Sequence, residues 1–175
     1  MRLFVAACPP QRVVEALNAV ARAERPGLRW APSSQWHVTL RFFGDAEIEE
    51  GVAVGQRVAE AAAFAQPAVA ELGPLLDGFG SKVLYVPVSG LDTLATTLER
   101  GTADLGEPPR PSPFVGHITL ARNRGKDPLD DLTGTPISGS WNVDEIALVA
   151  SVLAGQPGVP NRHEVVATFP LGSPA

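Results

Sequence analysis

The sequence predicts an α+β fold whose strands pair mainly in an antiparallel way. Helical segments are interspersed among short apolar strands along the 175 residues. The last two predicted strands, residues 143–153 and 163–169, are joined by a Gly- and Pro-rich loop at 155–160, with no helix between them. Parallel neighbours need a crossover that is usually a helix, so this ending favours antiparallel pairing. Because no linker divides the chain, we expect a single domain over residues 1–175.

The first half of the chain is predicted to form two strands, each followed by a helix. Residues 3–8 are short, apolar and followed by two prolines, which is typical of a buried strand. An apolar stripe predicts a helix over residues 11–24. Residues 36–43 form the next strand, and Asp45 is the expected N-cap of a helix that extends to about residue 65.

The second half repeats this mixture of strands and helix. Short apolar runs predict strands over the ranges 69–76, 82–89 and 114–122, with a turn at 77–80. Leucines at helical spacing predict a helix over residues 91–105. The stretches 107–113 and 124–139 are interpreted mainly as loops.

Composition excludes several classes of protein. The chain has 14 basic and 19 acidic residues, and its net charge of −5 argues against a broad basic surface for nucleic acid, but not against a pocket for one phosphate. The single cysteine, Cys8, excludes an internal disulfide and a Cys-rich zinc site. No apolar run approaches the roughly 18 residues of a membrane span, and residues 3–8 are too short for a signal-peptide core. We therefore expect a cytoplasmic protein.

Two of the three histidines lie in nearly identical tetrapeptides. The sequence His-Val-Thr-Leu begins at His37, and His-Ile-Thr-Leu begins at His117, both on predicted strands. Alternate residues of a strand share a face, so His37 and Thr39 point one way, and His117 and Thr119 do the same, above apolar neighbours in the core. Two such strands facing each other across a groove would supply two acid–base groups and two hydroxyl donors.

This set of side chains suits phosphoryl transfer from a phosphodiester. One imidazole removes a proton from the attacking oxygen, the other protonates the leaving oxygen, and the hydroxyls hold the non-bridging oxygens. An ordinary histidine pKa of about 6.5 lets one ring be neutral and the other protonated near neutral pH. A single His-x-Thr on a strand would carry little information, so the interpretation depends on the repetition.

The two motifs and their surroundings resemble the 2H phosphoesterases, specifically the RNA 2′,3′-cyclic phosphodiesterase branch, also called 2′-5′ RNA ligase. The similarity covers nearly the whole chain, from the first strand through Arg29-Trp30 and both motif strands to an arginine five residues after His117. Two positions depart from the family pattern: Gly116 stands where the family usually has proline, and His163 falls where it often has tyrosine.

The resemblance implies a bilobal fold, with two mainly antiparallel sheets and outer helices around a central groove. It implies hydrolysis of a terminal RNA 2′,3′-cyclic phosphate to a 2′-phosphate, with no metal, cofactor or obligate protein partner. His37 would be the general acid toward the leaving 3′ oxygen, and His117 the general base toward water. Thr39 and Thr119 would hold phosphate oxygens, and Arg122 would neutralise charge.

Several alternatives stay open. The substrate is an RNA 3′ end or a small cyclic nucleotide such as ADP-ribose cyclic phosphate, and a non-catalytic nucleotide-binding module is the rival from another class. Ideal strand alternation would aim Arg122 away from His117, so a bulge or strand end must redirect it, or Arg41 is the phosphate contact instead. His163 is interpreted as a partly exposed strand residue. The aromatic residues Trp36, Phe43 and Tyr85 are candidates for stacking on a base, although packing is the simpler role.

Overall fold

The computed structural model describes residues 1–109, 111–152 and 161–172. Its helices are α1 (Gln11–Asn18), α2 (Ile48–Phe64) and α3 (Asp92–Gly101). Its strands are β1 (Arg2–Ala7), β2 (Leu28–Trp30), β3 (Val38–Asp45), β4 (Ala68–Leu72), β5 (Asp77–Phe79), β6 (Val83–Ser89), β7 (His117–Asn123), β8 (Gly139–Val143), β9 (Glu145–Val152) and β10 (Arg162–Pro170). None of these helices has the length and apolarity that crossing a membrane requires.

The strands form two antiparallel sheets. The first has the order β10-β9-β1-β3, and the second has the order β2-β7-β6-β4-β8, with the short strand β5 also paired to β6. Each ladder between these strands is antiparallel. The predicted α+β class and the two-sheet arrangement are therefore confirmed.

The two sheets share one hydrophobic core. Helices α2 and α3 pack on each other and on the first sheet, whereas α1 packs on β8 of the second. A single cluster of buried side chains includes Val5 and Leu40 from the first sheet and Leu84 and Ile118 from the second. Strands β3 and β7, which carry the two motifs, lie in contact where the sheets meet. The core thus holds the two histidine strands against each other.

Two helix ends differ from the prediction. Helix α2 is capped by Glu47 rather than Asp45, because the Glu47 and Glu50 side chains each accept a main-chain hydrogen bond, and Asp45 still belongs to β3. Helix α1 ends at Asn18 instead of residue 24. It buries Val13 and Leu17. Its contact with the core is therefore only about two turns long.

Some strand boundaries also differ. The strand predicted over residues 69–76 ends at Leu72, since Pro74 has no N–H to donate to a ladder. The predicted turn at 77–80 contains β5, and the strand predicted from residue 143 is preceded by a separate strand, β8. The loop predicted at 155–160, together with residue 153, lies outside the described residues.

Candidate active site

Two adjoining cavities form a groove between the motif strands, with volumes of about 590 and 460 Å³. Four residues line both cavities: Thr39, His117, Thr119 and Arg122. We name the larger cavity the Phe79 half and the smaller one the Arg29 half, because each of these residues lines only one of them. His37 lines the Arg29 half. The structure therefore brings together all five site residues that the sequence predicts.

Both motif histidines are oriented by the same hydrogen bond. The Nδ1 atom of His37 lies 2.6 Å from the main-chain oxygen of Gln35, and Nδ1 of His117 lies 2.7 Å from that of Val115. A carbonyl oxygen only accepts, so Nδ1 carries the hydrogen and donates it in each ring. Nε2 is therefore the nitrogen of each imidazole that remains to exchange a proton with a substrate.

His37 packs between two other rings on the first sheet. Phe4 stacks on His37 with 4.7 Å between ring centroids, and His163 meets the same ring edge-on at 5.2 Å. His163 is half-buried on β10 and also lines the Arg29 half. A third histidine thus belongs to the groove, which its sequence context did not indicate because no His-x-Thr pattern surrounds it.

His117 is bordered by aromatic rings of the second sheet. Phe79 and Tyr85 each meet the His117 ring in an edge-to-face arrangement. Their ring centroids lie 5.0 and 5.4 Å from the centroid of His117. The Tyr85 hydroxyl donates to Oδ2 of Asp77 at 3.1 Å, which holds its ring in place. Of the three aromatic residues considered for base stacking, Tyr85 contacts His117, but at 7% exposure it is buried and lines neither half of the groove.

The other two aromatic candidates belong to the core. Trp36 is 5% exposed and Phe43 only 1%, so neither offers a free face to a base. Phe79, at 41% exposure, is the aromatic side chain that the groove presents beside His117. It lies on the short strand that sequence reasoning interpreted as a turn.

A β-bulge follows the threonine of the second motif. Thr119 lies opposite Tyr85 and Ala121 opposite Leu84, so Leu120 is the extra residue on β7. Leu120 and Ala121 are both buried, which restarts the alternation of faces. As a result Arg122 is exposed on the same side as Thr119 and lines the groove. The bulge therefore turns Arg122 toward the groove, whereas uninterrupted strand alternation would have pointed it away.

The first motif carries a bulge at the equivalent position. Ala6 lies opposite Thr39 and Val5 opposite Arg41, so Leu40 is the extra residue on β3. Arg41, which ideal alternation would aim toward the groove, is consequently 3% exposed. The two bulges thus bury Arg41, which still borders the Phe79 half of the groove, and expose Arg122.

Arg41 serves the fold of a neighbouring loop. Its guanidinium donates to the main-chain oxygens of Leu105 at 2.9 Å and Glu107 at 2.7 Å. It also lies 4.8 Å from the centre of the Phe43 ring. Since main-chain acceptors already occupy this guanidinium, Arg122 is the better candidate to contact a phosphate.

Gly116 allows the second motif strand to approach β6 closely. Its carbonyl oxygen accepts a hydrogen bond from the Val88 N–H at 2.8 Å. A Cβ atom at this position would lie 2.2 Å from the Val88 carbonyl oxygen, closer than such contacts occur. The glycine that replaces the family's usual proline thus suits the local backbone of this chain.

Burial is the main cause that lowers the pKa of His37 to about 4, and electrostatic repulsion from His163, His117 and Arg122 adds smaller contributions to the same lowering. The hydrogen bond to the Gln35 carbonyl acts in the opposite direction but is the smaller effect. His37 is therefore neutral at pH 7 when the groove is empty. In that state its Nε2 carries a lone pair.

We expect acid to destabilise the protein through His37. In the unfolded chain the pKa of His37 returns to about 6.5, so as the pH falls from 6.5 to 4 the unfolded state takes up the proton first. The free energy of unfolding should then fall by up to about 1.4 kcal/mol per pH unit from this group. Urea unfolding at pH 7, 6 and 5 should show a smaller loss for His37→Gln than for the parent protein. If the free energy of unfolding fell equally in the two proteins, His37 would not be a buried imidazole that stays neutral in the folded state.

Comparison with known proteins agrees with the geometry. Residues 9–153 match the model of the 2′-5′ RNA ligase superfamily. A Thermus thermophilus protein named RNA 2′,3′-cyclic phosphodiesterase is 32% identical over 166 residues, which span 87% of this chain and 83% of the relative.

Solved structures show the same fold. TT0787 of Thermus thermophilus superimposes with a TM-score of 0.82 at 30% identity, covering 99% of both chains. LigT of E. coli, complexed with 3′-AMP, superimposes with a TM-score of 0.76 at 25% identity, covering 97% of both chains. The match over residues 9–153, together with the paired motifs in one groove, shows that the chain belongs to the 2′-5′ RNA ligase superfamily of 2H phosphoesterases.

Proposed function

We propose that this chain is a metal-independent phosphodiesterase that opens the 2′,3′-cyclic phosphate at an RNA 3′ end and leaves a 2′-phosphate. The observation that carries the proposal is the pair of histidines in one groove, each held through Nδ1 and each followed by a threonine that lines the same groove. The Thermus thermophilus relative named RNA 2′,3′-cyclic phosphodiesterase supports this substrate.

In the proposed reaction the two imidazoles act on opposite sides of the phosphorus atom. Nε2 of His117 takes a proton from water while the water oxygen bonds to phosphorus. The bond between phosphorus and the 3′ oxygen breaks, and Nε2 of His37 donates its proton to that oxygen. The products are a 3′-hydroxyl and a 2′-phosphate. The division of roles follows the family resemblance, since the hydrogen bonds of the two rings are alike.

A general acid must be protonated, whereas His37 is neutral in the empty groove at pH 7. The negative charge of a bound cyclic phosphate favours the protonated ring and so opposes the burial and the electrostatic repulsion that lower the pKa of His37. We therefore propose that substrate binding charges His37, so that the ring becomes an acid only when there is an oxygen to protonate. This coupling keeps an unpaired buried charge out of the free protein.

Three further side chains complete the proposed site. The hydroxyls of Thr39 and Thr119 donate to the non-bridging phosphate oxygens, and the exposed Arg122 guanidinium neutralises the charge that develops there. Such donors act most strongly in the transition state, when negative charge on the oxygens is greatest.

A second candidate substrate is a small cyclic nucleotide such as ADP-ribose cyclic phosphate. Structures of E. coli LigT hold 3′-AMP, ATP or NADP⁺. The two halves of the groove, about 590 and 460 Å³, are in the size range of small-molecule sites. A non-catalytic nucleotide-binding module is disfavoured, because a protein that only binds has no need of two similarly oriented imidazoles.

We expect hydrolysis to proceed undiminished in EDTA. Among the described residues, no three His, Cys, Asp or Glu side chains are grouped so as to hold a metal ion, and the motif histidines have threonine neighbours. The test is a single-turnover assay in chelator, with a dinucleotide ending in a 2′,3′-cyclic phosphate and with ADP-ribose cyclic phosphate. Activity lost in EDTA and restored by one divalent metal would contradict the mechanism. Tight binding without turnover of either compound would favour the binding module.

A further inference from the structure

We propose that Arg29 and Arg124, beside Arg122, form a site for a second phosphate of the substrate, on the 5′ side of the cyclic phosphate. This inference rests on the proposed function, in which the reacting phosphate binds at the two motif histidines. All three arginines are exposed and line the Arg29 half of the groove. Arg29 lies directly opposite Arg122 in the ladder between β2 and β7, and opposite residues of an antiparallel pair share a face.

Among the described residues, the three guanidinium groups lack the carboxylate partners that Arg25 and Arg57 have. Arg25 pairs with Asp131, and Arg57 pairs with Asp104 at 2.9 Å. Among the described residues, none of the three groove arginines forms an ion pair, and no Asp or Glu lines the Arg29 half. Apart from the arginines, the ionisable side chains that the described residues contribute to that lining are histidines.

This arrangement costs stability in the free protein. Like charges directly opposite each other on a sheet are destabilising, and the chain as a whole is acidic, with a net charge of −5. Positive charge is therefore concentrated at the Arg29 half of the groove, although the chain as a whole is negatively charged. An anion that binds between the guanidinium groups would relieve the repulsion, and phosphate oxygens match their forked donors.

The backbone beneath these arginines is held in place before any ligand binds. The Arg124 N–H donates to the Gly27 carbonyl oxygen at 2.9 Å, which extends the ladder by one pair beyond Leu28 and Asn123. Between Arg122 and Arg124, the buried Asn123 donates its amide to the carbonyl oxygens of Ser81 at 3.0 Å and Asp127 at 2.7 Å. Because the backbone at these positions is already held, only the side chains have to become ordered when an anion binds.

The position indicates a second phosphate rather than the reacting one. Arg122 lines both halves of the groove together with His117 and Thr119, whereas Arg29 and Arg124 line only one half. Arg124 lies two positions after Arg122, directly after the end of β7, and two residues of extended chain rise by about 6.6 Å. The shared chemistry is a phosphate one nucleoside away, either the internal diester of an RNA or the 5′-phosphate of a mononucleotide.

The test compares three substrates that share one adenosine 2′,3′-cyclic phosphate. The first has a free 5′-hydroxyl, the second a 5′-phosphate, and the third a preceding nucleotide joined by a phosphodiester. In the parent protein, kcat/KM should favour the second and third substrates over the first. In Arg29→Gln and Arg124→Gln this preference should fall about tenfold, the lower end of what a hydrogen bond to a charged group contributes. Lysine at either position should restore part of it.

Arg100→Gln is the matched control, since it removes the same charge from an exposed position on α3 that does not line the groove. Its preference should stay within twofold of the parent's. Equal losses on all three substrates, or an unchanged preference, would overturn the second site. If the preference depends on these arginines for only one of the two phosphorylated substrates, that result identifies the source of the phosphate.

Direct binding separates this proposal from the proposed function. Calorimetric titration with adenosine 2′-phosphate and adenosine 2′,5′-bisphosphate needs no turnover. The bisphosphate should bind more tightly to the parent protein, and Arg29→Gln and Arg124→Gln should remove about tenfold of that advantage. If none of the cyclic phosphates is hydrolysed but this difference is found, the hydrolase function fails and the second phosphate site stands. If hydrolysis occurs without any such difference, the site fails and the function stands.

Discussion

The His37→Ala and His117→Ala proteins should each hydrolyse a terminal 2′,3′-cyclic phosphate about 10²–10⁴-fold more slowly than the parent protein, because each removes one partner of a general acid–base pair. The loss should fall on kcat, since proton transfer occurs in the transition state. Single-turnover kinetics at pH 7 measures it, and thermal unfolding shows whether each variant is folded. A folded variant that retained a near-parental kcat would exclude the paired mechanism.

A substrate with a better leaving group separates the two histidine roles. In a 3′-deoxynucleoside 2′-(4-nitrophenyl phosphate), the 2′ ester is kept and nitrophenolate takes the place of the leaving 3′ oxygen. Nitrophenolate departs without needing a proton. His37→Ala should therefore lose far less activity on this ester than on the cyclic phosphate, whereas His117→Ala should remain impaired on both. The reverse pattern would exchange the roles, making the buried neutral His37 the base.

Thr39→Val and Thr119→Val should each lower kcat by about 10²–10³-fold, the usual effect of removing one donor to a developing oxyanion. Valine keeps the β-branched shape that suits a strand and deletes only the hydroxyl, so the fold should persist. Both threonines are half-buried on motif strands and line the two halves of the groove.

Thr96→Val provides the matched control, because Thr96 is exposed on α3 and does not line the groove. It should retain the parental kcat. If either groove variant kept kcat within threefold of the parent while folded, its hydroxyl would not be a phosphate donor. A loss confined to KM would mean that the hydroxyl binds the ground state and the transition state equally.

Local sequence was sufficient for the motif strands and for the four motif side chains that line the groove. The period of two in His37-Val-Thr39-Leu places the polar pair on one face and the apolar pair in the core, whatever the rest of the chain does. The second copy at His117 behaves in the same way. The absence of a helix before the last strand likewise predicted the antiparallel class, because that constraint depends only on chain connectivity.

The sequence could not orient the arginines. Arg41 and Arg122 follow their histidines on strands of the same kind, and alternation alone would place Arg41 in the groove and Arg122 away from it. Each strand instead has an extra residue directly after its motif threonine relative to its partner strand, and pairing between strands is a property of two distant segments. The pattern within one strand therefore carries no signal for the bulge.

The sequence by itself determined the chemistry of this protein: two imidazoles and two hydroxyls on apolar strands, in a chain without the residues for a Cys-rich metal site. Only the tertiary structure decided which neighbours join them, bringing His163 against His37 and setting Arg29 opposite Arg122. The physical reason is the distance along the chain over which each interaction acts. Side-chain alternation is set by the adjacent peptide bonds, whereas contacts between sheets depend on how a shared core packs residues that are far apart in the chain.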